Sequence, residues 1–299
     1  MSAPAFTTYE PNTHFPALKT KNLPARAFAP ANISLIFETY PASPPHGRGS
    51  LGVGITLDEG VVASVHRADA AHGAGIFVDG TEWKFPTVEN VLAALGVGEL
   101  HIALQAAFQF GCGFGMSGAS ALSVAYAANA LLKLGRSEEE LGMIAHDAEV
   151  AAATGLGDVG GQFNGGIMIK TRKYQPLTVA RLPVQAAHLY VRVHGPIHTA
   201  EVIGSQEKLR FINGAGHQAM ADLEAAGGKL TLGKLFDVSL EFARHSGLLT
   251  SEVLKETIAE ICASGGHATM IMLGEAIVAT VPFAGSRKVR VIQRGVHLL

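Results

Sequence analysis

The chain has 299 residues, a formal net charge of −2 and 48% apolar composition, enough to bury one large core or two modest ones. Acids and bases are mixed along it, so there is no basic stripe that could neutralise a run of phosphates, and nucleic acid is not an expected partner. Its two cysteines, Cys112 and Cys262, are too few for a disulfide framework and lack the spacing of a zinc site, which fits a reducing, cytoplasmic setting.

Residues 1–24 have no basic region followed by a continuous apolar stretch and read as a Pro/Thr-rich extension, not a secretory signal. Val-, Ile- and Phe-rich runs then predict strands over 25–38, 50–57 and 60–67, with turns at Pro41-Ala-Ser-Pro-Pro45 and Asp58-Glu-Gly60. Short strands follow at 75–79 and 82–85, then a helix over 87–95. The stretch His101–Leu132 carries no Asp, Glu, Lys or Arg, yet Gly111, Gly113, Gly115 and Gly118 interrupt it. It therefore reads as a strand, a loop and a buried helix, with no membrane span. Ser137-Glu-Glu-Glu140 has capping-box spacing and opens a helix that runs to about Thr154. After a strand over 165–172 the pattern restarts, with helices at 206–226, 233–245 and 251–263 and strands at 188–194, 269–273, 276–281 and 289–294. Two domains, 25–175 and 176–299, are expected.

The most informative segment is Gly111-Cys112-Gly113-Phe114-Gly115-Met116-Ser117-Gly118-Ala119, which places glycines at alternate positions directly before a helix. Such a backbone approaches an anion closely, and the unpaired N–H groups of the helix start attract negative charge. It is neither GxxxxGK[ST] nor a dinucleotide fingerprint, so a glycine-rich packing turn competes with the anion site. Ser117 would lie in the first helical turn, as a magnesium ligand or simply a cap. His146 and Glu149, three residues apart, share a helix face; Glu149 either supplies a carboxylate to such an ion or is a solvated surface acid. Asp158, in Thr154-Gly-Leu-Gly-Asp-Val-Gly-Gly161, either serves a turn or positions an attacking hydroxyl. Gly47-Arg-Gly-Ser-Leu-Gly-Val-Gly54 mimics GxGxxG, but a strand follows it, which excludes a Rossmann site. Arg48 and Ser50 could instead bind a carboxylate, unless they belong to a surface hairpin. His194-Gly-Pro-Ile-His198 is no metal motif, because Gly195 and Pro196 break the helix that HxxxH needs.

Ala29-Pro30-Ala31-Asn32-Ile33, Gly113-Phe-Gly-Met-Ser-Gly-Ala119, Thr154-Gly-Leu-Gly-Asp158 and the late Gly265-Gly-His-Ala-Thr-Met-Ile-Met-Leu-Gly274 resemble, in this order, the motifs of the GHMP kinase superfamily. Gly49-Ser-Leu-Gly-Val-Gly54, Ala145-His-Asp-Ala-Glu149 and Met272-Leu-Gly274 are most similar to the archaeal pantoate kinase family. The usual Gly-Leu-Gly-Ser-Ser is here Gly113-Phe-Gly-Met-Ser117, so one of two serines remains.

The resemblance implies an α+β fold with a ribosomal-protein-S5-like first domain, a ferredoxin-like second domain and ATP between them. It implies phosphate binding by Gly111–Ala119, Ser117 and Glu149 as Mg2+ ligands and Asp158 as catalytic carboxylate; Arg48, Ser50 and His146 are the candidates for binding the acceptor. The implied reaction turns pantoate and ATP into 4-phosphopantoate and ADP, early in coenzyme A biosynthesis. The sequence leaves open another small hydroxyl acceptor (homoserine, shikimate or mevalonate), a non-catalytic nucleotide-binding protein of the same fold, and a homodimer.

Overall fold

The computed structural model describes residues 23–42, 47–69, 73–197, 201–202 and 204–299. Nearly all of the expected N-terminal extension, most of the Pro41–Pro45 turn and His198 lie outside the described residues.

Two long antiparallel strands form the spine, β1 (Ala25–Tyr40) and β2 (Gly49–Arg67). In β1 the side chains of Ala27, Ala29, Ala31, Ile33 and Leu35 are fully buried, as expected of alternate residues on one covered face. Asp58-Glu-Gly60, expected to be a hairpin turn, lies inside β2. Pro30 pairs with Gly60 and Ala31 with Leu57, so Asp58 and Glu59 bulge out of the ladder. Pro30 has no N–H to give the ladder, and a bulge beside it lets two residues go unpaired without ending the strand.

The sheet continues through β3 (Gly75–Val78), β4 (Thr81–Glu82) and β5 (Leu100–Ala106) in the order β12-β1-β2-β5-β3-β4, and β6 (Ile167–Lys170) and β7 (Ala180–Arg181) extend it from β2. Against it pack α1 (Pro86–Leu95), α2 (Met116–Leu132), α3 (Glu138–Ala151) and the short α4 (Asp158–Asn164). Helix α2 is the centre of this core. Its Leu122 and Val124 are 0% exposed, a burial worth about 1.5–3 kcal/mol each. Ser120 and Ser123 return their hydroxyls to the carbonyls of Met116 and Ala119 at 2.8 and 2.7 Å, so no polar group is stranded there. Helix α3 opens with the capping box expected from its sequence: Glu140 N–H donates to Ser137 Oγ at 3.2 Å, and Ser137 N–H to Glu140 Oε2 at 2.8 Å.

A second sheet of order β11-β8-β10-β9 contains β8 (His188–Pro196), β9 (Ala268–Met270), β10 (Gly274–Ala279) and β11 (Arg287–Arg290). It packs with α5 (Gln206–Ala226), α6 (Leu232–His245) and α7 (Glu252–Ala263), where α6 and α7 meet the sheet and α5 lies on α6 and on β1. The strand expected at 269–273 ends at Met270, where the chain turns through Leu273 with a φ of 64°, and the one expected at 289–294 runs over 287–290. The last strand, β12 (His297–Leu298), returns to pair with β1, which no periodicity signalled. The result is an α+β fold with two sheets, each with its own helices. A division at residue 175 remains our proposal, with β7 and β12 reaching back across it to the first sheet. No helix among the described residues is long and apolar enough to cross a membrane.

Candidate active site

A cleft of about 390 Å³ lies between the two sheets, lined by the glycine loop, the middle of β1, the start of β2, the turn after α3 and Met272-Leu273. Gly111, Gly113 and Gly115 all have positive φ, at 81°, 84° and 63°, a region that L side chains avoid. Of the nine residues expected to hold phosphate, Gly111, Gly113, Phe114, Gly115, Met116 and Ser117 line the cleft. Cys112 is buried, with its thiol held by the Phe110 carbonyl; Gly118 and Ala119 are buried in α2 and do not line the cleft. The late glycines act through packing. A Cβ on Gly274 would lie 2.1 Å from the Cys112 carbonyl oxygen, so the second sheet presses on the loop there, and Gly265 merely closes α7.

At the foot of α2, Ser117 donates to Glu149 Oε1 at 2.6 Å. Glu149 is 0% exposed and its Oε2 has no hydrogen-bond partner among the described residues. Burial, reinforced by the nearby Asp158 carboxylate, pushes its carboxyl up to about 8. A hydroxyl and a buried carboxylate with a spare oxygen fit a hard cation such as magnesium. The described residues hold no cluster of three or more His, Cys, Asp or Glu.

Asp158 was expected in a turn; instead it is the first residue of α4. Its Oδ1 accepts from Asn32 Nδ2 at 2.7 Å and from Ser34 Oγ at 3.1 Å, both on β1. Burial raises its carboxyl, and these two bonds pull it back down. Near it stands Lys170 at the end of β6, 6% exposed and without a hydrogen-bond partner for Nζ among the described residues. Burial lowers its ammonium to about 8, against the attraction of Asp158 and Glu149. Asp158 and Lys170 are the charged side chains that line the cleft. Around them lie apolar walls from Ile36, Leu51, Val53 and Met168.

The three residues expected beside the acceptor separate. Ser50 lines the cleft, with its hydroxyl so close to Gly157 that a Cβ there would meet it at 2.1 Å. The Arg48 side chain does not line the cleft. His146 is 4% exposed and stands behind it, where burial and then the Lys170 charge push its imidazole down to about 4 and its ring bonds the Arg48 main chain.

Lys170, Asn32, Ser34 and the buried amide of Gln162 escaped the reading of the sequence. Asn32 stood inside a quoted motif without a role. Lys170 had a usable signal: it closes Ile167-Met-Ile-Lys170 on the strand parity of Met168, where alternation points it inward.

The GHMP kinases N terminal domain model matches residues 83–166, which span α1, the glycine loop, α2, α3 and Asp158. The pantoate kinase of Methanocaldococcus jannaschii is 30% identical over 232 residues, 76% of this chain and 82% of that protein. A solved structure described as a phosphotransferase related to the coenzyme A biosynthesis pathway superposes with a TM-score of 0.79 at 24% identity, covering 93% of this chain and 99% of its own. Homoserine kinase from Cytophaga hutchinsonii superposes with a TM-score of 0.66 at 18% identity, covering 96% and 100%, and so shares the fold. With the ordered motifs and the two-sheet cleft, this likeness over most of its length makes the chain a member of the GHMP kinases, ATP-dependent small-molecule kinases, in the pantoate kinase family.

Proposed function

We propose that the protein transfers the terminal phosphoryl group of ATP to the hydroxyl of pantoate, releasing 4-phosphopantoate and ADP. The main-chain N–H groups at the start of α2 hold the phosphates, where the helix end favours negative charge. Phe85 and Phe110, 5.5 Å apart at the cleft edge, offer an aromatic wall to the base. Ser117 and Glu149 would hold magnesium, which supplies positive charge to the phosphate oxygens. Asp158 takes the hydroxyl proton as the acceptor oxygen bonds to phosphorus and the bond to the leaving ADP oxygen breaks. Lys170 and Ser50 hold the acceptor carboxylate. Arg48 and His146 act from behind, through the main-chain bond that links them.

The observation that carries this reading is the pairing, in one cleft, of a half-buried carboxylate with a buried cation whose Nζ has no hydrogen-bond partner among the described residues. An acceptor with a hydroxyl and a carboxylate complements both groups, and the two methyl groups of pantoate suit the apolar walls around them. Purified protein with ATP and magnesium should release ADP when pantoate is added, and much less with homoserine, shikimate or mevalonate. Turnover with one of these and none with pantoate would reassign the acceptor. ATP binding without transfer to any acceptor would favour a non-catalytic nucleotide-binding protein.

A further inference from the structure

Helix α4 presents more than Asp158. One turn later, on the same face, stands Gln162, an amide that is 0% exposed. Its Nε2 donates to the Gly115 carbonyl at 2.6 Å, while its Oε1 has no partner among the described residues. The same carbonyl accepts the Ala119 N–H at 3.0 Å, the first bond of α2. Gln162 fits tightly: a Cβ on Gly118 would lie 2.7 Å from Oε1, and one on Gly115 would lie 2.8 Å from Nε2.

The Gly115 carbonyl belongs to the peptide unit whose other end is the Met116 N–H. In a planar trans peptide the two point in opposite directions, so holding the carbonyl toward α4 aims the N–H away from it, out of the helix start. Gly115 and Met116 both line the cleft. Gly115 sits at φ 63°, and glycine leaves such a peptide free to rotate at little cost unless something holds it. Asp158 and Gln162 touch Gly115 from the same helix, since a Cβ there would also lie 3.1 Å from the Asp158 side chain.

Resting on the kinase reading above, we infer that Gln162 is a positioning residue for the phosphate loop: through the Gly115 carbonyl it aims the Met116 N–H at the nucleotide's phosphates. It touches neither substrate. Its removal therefore acts on ATP and spares the acceptor, whereas a merely structural loss weakens both.

The test is the substitution Gln162→Met, which keeps the length of the side chain and removes the donor. Calorimetry with a non-hydrolysable ATP analogue and magnesium should show affinity lowered about 10-fold, the size expected for one misaligned hydrogen bond to a charged group. KM for the acceptor should move less than 2-fold. Should the Met variant not fold, Gln162→Asn, one methylene short of the carbonyl, carries the same expectation. Unchanged ATP affinity, or equal losses for ATP and acceptor, would overturn the inference. If the wild-type protein itself fails to bind the analogue, the kinase reading has failed instead.

Discussion

Two sets of charges in this molecule are handled in opposite ways. At the β2 bulge, Arg287 meets Glu59 at 2.5 Å and Arg290 meets Asp58 at 2.6 Å, with the arginine side chains 48% and 70% exposed. Arg287 also lies over the Phe108 ring, 4.3 Å from its centroid. These pairs join β11 to β2, so they tie one sheet to the other, and every charge in them has a partner. At the cleft Lys170, and behind its wall Glu149, are buried, and each keeps an atom without a hydrogen-bond partner among the described residues. Wet, paired charges add little to stability, whereas a buried charge left unsatisfied is costly and persists where it meets a ligand. The contrast separates the paired charges at the seam between the sheets from the unsatisfied ones beside the cleft.

Four substitutions test that contrast. Asp158→Asn keeps the shape of the side chain and removes the proton acceptor; kcat should fall roughly 10²- to 10⁴-fold, measured by coupled ADP release, and an unchanged rate would remove Asp158 from the proton transfer. Lys170→Met should raise KM for the acceptor roughly 10- to 100-fold, the size of a lost charged hydrogen bond, with a smaller effect on KM for ATP. Equal effects on both substrates would mean that Lys170 is no acceptor group.

The third probe is pH. His146 is buried neutral, with its imidazole pushed from the ordinary 6.5 to about 4. Between these values the unfolded chain binds the proton and the folded one does not. The stability this group contributes is therefore complete above about 6.5 and is lost as pH falls toward 4. Urea midpoints of the ligand-free protein should drop across that window, and His146→Gln should flatten the slope by up to about 1.4 kcal/mol per pH unit. A slope untouched by the substitution would place the titration elsewhere. The smallest effect belongs to the surface: Arg290→Ala should cost no more than about 1 kcal/mol, shrinking further in high salt. A loss of several kcal/mol would show that the seam between the sheets carries more than exposed pairs do.

What could be read from the chain followed its local rules. The alternating glycines ahead of Ser117, the capping box at Ser137 and the three helices of the second sheet are short-range patterns, because turn geometry and amphipathic period act within a few residues. Asp158, Ser117 and Glu149 could be singled out as candidates for the same reason, each standing beside a glycine signal or a helix period. The run Asp58-Glu-Gly60 was misread as a turn because the cause of the bulge, Pro30, sits on the partner strand.

The sequence by itself determined the kind of protein this is: an α+β chain with a glycine loop at a helix start and a carboxylate beyond the next helix. Only the tertiary structure decided which groups gather at the cleft. Lys170 is brought in by β6, Asn32 and Ser34 by β1, and Gln162 by the short helix that also carries Asp158, while Arg48 is left off the cleft wall. Those choices depend on how strands distant in sequence pair and on which side chains that pairing buries, and no local periodicity encodes either.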